Sequence, residues 1–502
     1  MPGQPLPRDP VNDTWLFVDD HHVLYRSGTK RVFHPPVRHA ANPLVAATEP
    51  WETALAWNSI YHNPETGRYQ LWYQSYIGSQ LQDRRYGCVV CYAESADGIH
   101  FSKPDLDLFA FGDCARTNIV LLGSGGHSFR YCCSVLVDVD EPDRTRRYRM
   151  AYFDWTETGT GQRPGLCVAF SADGIHWSKH HRAPLLPIAY GSSGDEVPLT
   201  TDTDRVWAVP LSMSDATDVF FDPLHHVYAC YGKMWIDGPD GRMAWKHAMG
   251  RTESPDFLNW SIPELVCAPD DEDPPHVEFH TTPVFFHAGV YICLNQILDR
   301  GVGGGVIDVE LMLSRDGRDW RRPFRDEFFL PRGPAGAFDG GSIFTNSTPV
   351  LLEQEMRFYY GGYSAGATSS DNDRHASGVG LATLPRDRFA GLAPLALTDL
   401  STQRQPVHGV GQVTLRKMSV SGLRGLELNA DAGSGCVRVE LLDVGGRRMP
   451  GYTLQEAVPI RGDGLRHPVT WQHRQLQDLQ GEFMLRLHLQ QATVYALHRI
   501  RT

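Results

Sequence analysis

The sequence predicts an all-β fold, a five-bladed β-propeller followed by a C-terminal β-sandwich. Three observations predict it: a Ser-x-Asp-Gly turn that recurs, a tyrosine-led strand that recurs ahead of it, and a change to plain two-residue alternation after Pro394. Repetition of one supersecondary unit is the sequence mark of repeat architectures.

The turn reads Ser95-Ala-Asp97-Gly-Ile-His-Phe101, then Ser171-Ala-Asp173-Gly-Ile-His-Trp177 and Ser314-Arg-Asp316-Gly-Arg-Asp-Trp320, with a degenerate copy at Ser254-Pro-Asp256-Phe-Leu-Asn-Trp260. Asp-Gly suits a tight hairpin, because glycine reaches positive φ without penalty and aspartate bonds nearby backbone N–H groups. The aromatic four residues after the Asp is expected to pack between neighbouring sheets.

The second element is a polar bend entering a strand led by an aromatic: Tyr69, Tyr148, Tyr228, Tyr291 and Phe358. From the first four of these to the Asp of the next turn is 28, 25, 28 and 25 residues. Each unit reads as four strands, and four-stranded sheets repeated at roughly 60–80 residues make propeller blades. Five aromatic-led strands give five blades over residues 45–394. Residues 1–44 are expected to close the ring through the strand-like stretch Trp15 to Tyr25, and residues 395–502 to form the sandwich, jelly-roll-like, from period-two strands between Gly and Asp turns.

Composition narrows the function. The net charge of −12 argues against a nucleic-acid partner. No run of about 18 apolar residues is present, so no membrane span is expected. The N-terminus lacks a basic start and an apolar stretch, so a cytoplasmic location is expected. Cysteines in apolar strands (Cys88, Cys91, Cys132, Cys133, Cys230, Cys293) read as small core residues. Cys88-Val-Val-Cys91 has no second pair to complete a zinc site, and no metal or cofactor is expected. His127, His276 and His280 read as buried, bonded histidines rather than ligands of an axial ion. Oligomeric state is not legible.

The turns, the five aromatic-led strands and the terminal sandwich together resemble the fold superfamily of levanase, invertase and arabinanase, glycoside hydrolase families 32 and 43. The sequence is similar to a divergent bacterial member of the family 32 group. The resemblance implies hydrolysis of furanosides or related sugars by carboxylates around the central axis. The family 32 motif Trp-x-Asn-Asp-Pro-Asn-Gly is absent, and the nearest echoes are Thr217-Asp218-Val-Phe-Phe and Val277-Glu278-Phe-His-Thr-Thr-Pro. The turns also look like sialidase Asp-boxes, but those lie on the outer rim, and five units without an arginine triad argue against a sialidase.

Glycoside cleavage needs one carboxylic acid to protonate the leaving oxygen and a second to attack or to activate water. Acids at the starts of inner strands are therefore the candidates: Glu49, Glu52, Asp215, Asp218, Glu278 and Asp339. Glu278, between apolar neighbours that would raise its pKa, is the expected proton donor. Asp339 or Glu52 is the expected nucleophile or base, and Asp218 an orienting carboxylate. Asp154, Trp51, Trp155, His127 and His280 are the expected sugar contacts. Two alternatives stay open, a noncatalytic carbohydrate-binding propeller and a glycoside phosphorylase; the latter needs a cationic phosphate pocket near the acid, with Arg300 and Arg332 the residues to consider.

Overall fold

The computed structural model describes residues 13–78, 81–125, 133–158, 161–187, 213–241, 245–367, 376–396 and 409–501. The described residues form strands, turns and short 3₁₀ segments, so the all-β expectation holds. The chain divides into two units, one of residues 37–350 and 357–383, the other of residues 11–36, 351–356 and 384–502. Among the described residues no helix is long and apolar enough to cross a membrane.

The first unit is a succession of antiparallel meanders. The first comprises Ala54–His62, Tyr69–Tyr76 and Cys88–Ser95, edged by Phe101–Ser102 and Ile119–Leu121. The second comprises Ser134–Val137, Tyr148–Thr158, Gly161–Ser171 and Trp177–Lys179. The third comprises Met213–Asp222, Val227–Ile236, Lys246–Ser254 and Glu264–Cys267. The fourth starts at Val277–Phe279 and continues through Val290–Asp299, Val306–Ser314 and Trp320–Arg321. The fifth runs Ser342–Phe344, Glu355–Tyr363 and Ser377–Pro385, and is edged by Val37–Arg38 and Val45–Ala46 from the start of the chain.

Residues 15–25 do not take the edge position expected of them. Thr14–Leu16 pairs with Thr493–Arg501 and Val23–Ser27 with Val410–Leu415, both in the second unit. Residues 37–46 take that edge of the last meander instead. The physical reason is burial: Trp15, Phe17 and Val23 belong to the apolar core of the second unit. The second unit likewise begins before residue 395, because Ala390–Pro394 pairs with Thr29–Phe33. Its longest strand, Leu423–Leu442, pairs with Thr493–Arg501 through its first half and with Glu482–Gln490 through its second.

The repeated turns have one geometry. In the first, Ser95 Oγ donates to Asp97 Oδ1 at 2.9 Å and accepts the Gly98 N–H, while Asp97 Oδ1 accepts the N–H groups of Ile99 and His100 at 2.8 Å each. The same bonds recur at Ser171/Asp173 and Ser314/Asp316. In the degenerate copy Phe257 takes the positive φ of 68° that glycine holds elsewhere. Each glycine carbonyl accepts from an aromatic side chain of another meander: Gly174 from Trp72, Gly317 from Tyr231 and Gly98 from Tyr359, all at 2.6 Å. The aromatic after each Asp packs there too, Trp177 edge-on to Trp72 and Trp320 to Tyr231.

Side chains on or just after the opening strands bond from one meander to another. Ser59 Oγ donates to the Cys133 carbonyl at 2.8 Å, Ser134 Oγ to Asp218 at 3.1 Å, Thr345 Oγ1 to the Leu294 carbonyl at 2.9 Å, and Asn346 Nδ2 to Asn58 at 2.8 Å. Small hydroxyl and amide side chains at this level hydrogen-bond across the strands that converge there.

Candidate active site

At the start of the third and fourth meanders, five ionisable side chains come together. Asp215 lies on Met213–Asp222, where the ladder register shifts between Met213 and Thr217. Such irregularities redirect side chains next to functional sites. Lys233, on the adjacent strand, places Nζ 2.5 Å from Asp215 Oδ1. Burial works to raise the Asp215 pKa, but the Lys233 charge and hydrogen bond override it and bring it down to about 2. Asp215 is therefore an ionised carboxylate although only 4 % exposed.

Glu278 stands on Val277–Phe279, its neighbours Val277 and Phe279 buried in the core between the third and fourth meanders. Its Oε2 accepts the His247 backbone N–H at 2.9 Å and lies 2.6 Å from His247 Nδ1. Its Oε1 pairs with the Arg300 guanidinium. Burial, with the charges of Lys233 and Arg300, holds the His247 pKa well below the usual histidine range. His247 is thus neutral with its proton on Nδ1 facing the carboxylate, which makes Nε2 the acceptor nitrogen. That Nε2 is buried and has no hydrogen-bond partner among the described residues. Trp235 lies against the His247 ring, centroids 3.8 Å apart.

His280 adjoins this group. Burial, then the Lys233 charge, lowers its pKa to about 3. Its Nδ1 is 3.0 Å from Gln296 Oε1, and its ring stacks on Trp57, whose indole N–H donates to Thr281 Oγ1 at 3.3 Å. Asp218, three residues along the strand from Asp215, accepts from Ser134 and from Ser347 Oγ at 2.5 Å. Burial pushes its pKa up to about 7, only partly offset by these hydroxyls. Two carboxyl groups on one strand, one held ionised and one protonated near neutrality, is the separation that acid and base roles require.

The other sequence candidates lie elsewhere. Glu52 closes its own turn: Oε2 accepts the N–H groups of Thr48 and Glu49 and pairs with Lys103, and Oε1 accepts the Tyr73 hydroxyl at 2.5 Å. Asp339 is pinned by Arg38 Nε at 2.8 Å and the Tyr360 hydroxyl at 2.9 Å. Both carboxylates are thereby engaged by the protein itself. Asp154 falls inside Tyr148–Thr158 rather than at its end, and accepts the N–H and hydroxyl of Ser124. Trp51 is an interior side chain bonded to Asn118 at 2.7 Å, and Trp155 is fully buried in the core between the second and third meanders. Trp51 also lies edge-on to Phe111. His127, with Cys132, lies outside the described residues. Arg332 is paired with Asp308 at 3.0 Å.

Lys233 and His247 are not singled out by the sequence, and Asp215 appears there only as one acid among several at strand starts. The available signal is Lys233 in Tyr-Gly-Lys-Met-Trp, a lone charge in a strand otherwise apolar. Among the described residues no group of three or more His, Cys, Asp and Glu side chains is arranged to hold a metal ion; the counter-charges here are Lys233 and Arg300.

No protein-family model and no curated protein sequence matches the chain. Several solved structures are similar to it. A BT0996–RGII complex is 13 % identical, with 70 % of this protein and 92 % of that one covered at a TM-score of 0.49. A structure from work on GH130 mannoside phosphorylases and glycoside hydrolases that target β-1,2 mannosidic linkages in Candida mannan is 17 % identical, covering 71 % and 97 % at 0.41. The Bombyx mori GH32 β-fructofuranosidase BmSUC1 is 11 % identical, covering 94 % of each protein at 0.41. At these identities and scores the likeness assigns neither substrate nor activity.

Proposed function

We propose that the chain is a glycoside-active enzyme, a glycosidase of small or terminal sugars, whose first unit is a five-bladed β-propeller with its reaction site around Glu278. The observation that carries this reading is the pairing of Glu278 with both His247 and Arg300, beside Asp215–Lys233. Asp215, Lys233, His247 and Glu278 are each under 10 % exposed. Burying charges in this way is weak as a stabilising device, since apolar replacements of the same shape are often as stable. Buried charge pairs with displaced pKa values are instead a mark of reaction sites.

In this reading Glu278 and His247 form the proton-transfer unit: His247 Nε2 takes a proton from the attacking water as its Nδ1 proton passes to Glu278 Oε2, and Glu278 delivers that proton to the leaving oxygen. Asp215 is the carboxylate that stays charged and stabilises positive charge developing on the sugar ring. Asp218 orients the inner end of the site. His280, stacked on Trp57, offers an apolar face with a polar edge, the surface that sugar C–H groups and hydroxyls require.

The test is turnover of chromogenic furanosides and pyranosides by the wild-type chain and by Glu278→Gln. Expected is turnover that Glu278→Gln abolishes while its melting temperature stays close to wild type. A fully active Glu278→Gln protein would remove the role. Glycoside phosphorolysis is a second reading, favoured by one observation: Arg300, 45 % exposed, sits on Glu278 and supplies a cation at the acid. Turnover that depends on added inorganic phosphate selects it.

A further inference from the structure

The second unit holds an open surface pocket of about 370 Å³ lined by Trp15, His21, His22, Arg416 and Lys417. That volume is within the range of small-molecule sites, roughly 300–1,000 Å³. One wall is the bend between Val410–Leu415 and Met418–Ser419; the other is Thr14–Leu16 with the turn that precedes Val23–Ser27. The walls are tied by the backbone, since the Arg416 N–H donates to the His22 carbonyl and Arg416 Nε to the His21 carbonyl, both at 2.9 Å.

The lining combines an arginine with the edge of an indole. The Trp15 ring lies parallel to His22, centroids 4.4 Å apart, and the Arg499 guanidinium is 4.8 Å from its centroid. The indole faces are thus covered, and a ligand meets the ring edge. The charged groups decide the chemistry. Lys417 pairs with Glu482 at 2.8 Å. Arg416 is exposed, and among the described residues its guanidinium is engaged only through Nε, which leaves both terminal amino groups for a ligand. Two parallel N–H donors on a planar fork match a carboxylate better than any neutral hydroxyl.

We propose that this pocket binds the carboxylate of an acidic saccharide, with Arg416 as the bidentate contact. The saccharide part of this assignment rests on the reading of the chain as glycoside-active; the anionic part rests on the pocket alone. The site would hold an acidic glycan by its uronate residue without taking part in bond cleavage.

The test is calorimetric titration of the full chain with an oligoglucuronate trimer, its methyl-esterified form and inorganic phosphate. The acid should bind and the ester bind at least about tenfold more weakly, the scale of one charge-assisted contact. Arg416→Ala should weaken the acid about tenfold, and Arg416→Lys should fall between, since it keeps the charge and loses the fork; melting temperatures check that both fold. Glu278→Gln should bind the acid as wild type does. That separates the two readings: a fully active Glu278→Gln protein sinks the catalytic assignment and leaves this one standing. Equal binding of acid and ester, binding untouched by Arg416→Ala and Arg416→Lys, or no binding of the acid overturns the proposal, as does phosphate binding in place of the trimer.

Discussion

Tyr359 donates its hydroxyl to the Gly98 carbonyl across 2.6 Å, although the two residues stand 261 positions apart in the chain. The bond ties the fifth meander to the turn of the first. It repeats what Trp72 does for Gly174 and Tyr231 for Gly317. The Asp-Gly turn thus serves twice. Its serine and aspartate close the hairpin locally, and its glycine carbonyl receives a side chain from another sheet. The last link joins the two ends of the repeat and so depends on all that lies between.

A glycine pair tests the latch. Gly98 has φ of 74°, and a Cβ there would come within 2.6 Å of the Tyr359 hydroxyl. Gly112 has φ of 55°, and a Cβ there would meet nothing within 4 Å among the described residues. Both alanine variants incur backbone strain of roughly 1–2 kcal/mol. Gly98→Ala alone adds overpacking, about 1–3 kcal/mol more. Chemical denaturation should therefore rank Gly98→Ala well below Gly112→Ala. Equal losses would show that the latch carries no stability.

Asp215 and Lys233 give a second comparison. Lys233→Met leaves a carboxylate buried without its counter-charge, a loss of about 3–5 kcal/mol. Asp215→Asn with Lys233→Met removes both charges, so the double variant should be more stable than Lys233→Met alone. The sign with pH follows from the lowered Asp215 pKa, about 2. The stability it contributes is present above the unfolded carboxylate pKa and is lost as pH falls toward 2. Urea unfolding at about pH 7 and about pH 3, on either side of the ordinary carboxylate pKa, should show the gap between wild type and Lys233→Met narrowing in acid.

The turns are legible in the sequence because their chemistry is local: Ser95, Asp97 and Gly98 bond to one another within three residues. Glu278 and Asp218 are legible as acids placed against apolar strand residues. Glu52 and Asp339 look alike in sequence, but each has its carboxylate engaged by partners, Lys103 and Arg38, that nothing in the sequence places beside it. His247 is hidden for a related reason. It stands on the third strand of its meander and reaches a carboxylate on the next, a contact between sheets that no spacing along the chain announces. The edge position of residues 37–46 is hidden too, since the pairing with Val379 and Ala382 spans most of the chain.

Asp218 predicts a stability profile of opposite slope to Asp215. Its folded pKa, raised by burial to about 7, exceeds the ordinary 3.8. Between those values the folded chain holds a proton that the unfolded chain has released, so stability falls as pH rises through that window. The full effect is on the order of 4 kcal/mol. Asp218→Asn cannot titrate and should gain on wild type from about pH 4 to about pH 8, the window in which the folded and unfolded proton counts differ. Thermal unfolding across that range measures it, and parallel curves for the two proteins would show that Asp218 stays ionised.

Glu278 and His247 should fail together. His247→Asn keeps a donor near the position of Nδ1 and so preserves a bond to Glu278 Oε2, while removing the Nε2 acceptor. Glu278→Gln keeps the shape of the side chain and removes its basicity. If the two residues pass one proton, each change should lower kcat by about 10²–10⁴-fold, the range for a lost acid–base group. Groups that act as a unit are not additive, so the double variant should be no slower than the slower single one. KM should change far less than kcat, because neither substitution alters the shape of the site. Independent multiplying losses in the double variant would separate the residues, leaving Glu278 to act alone and His247 as part of its packing.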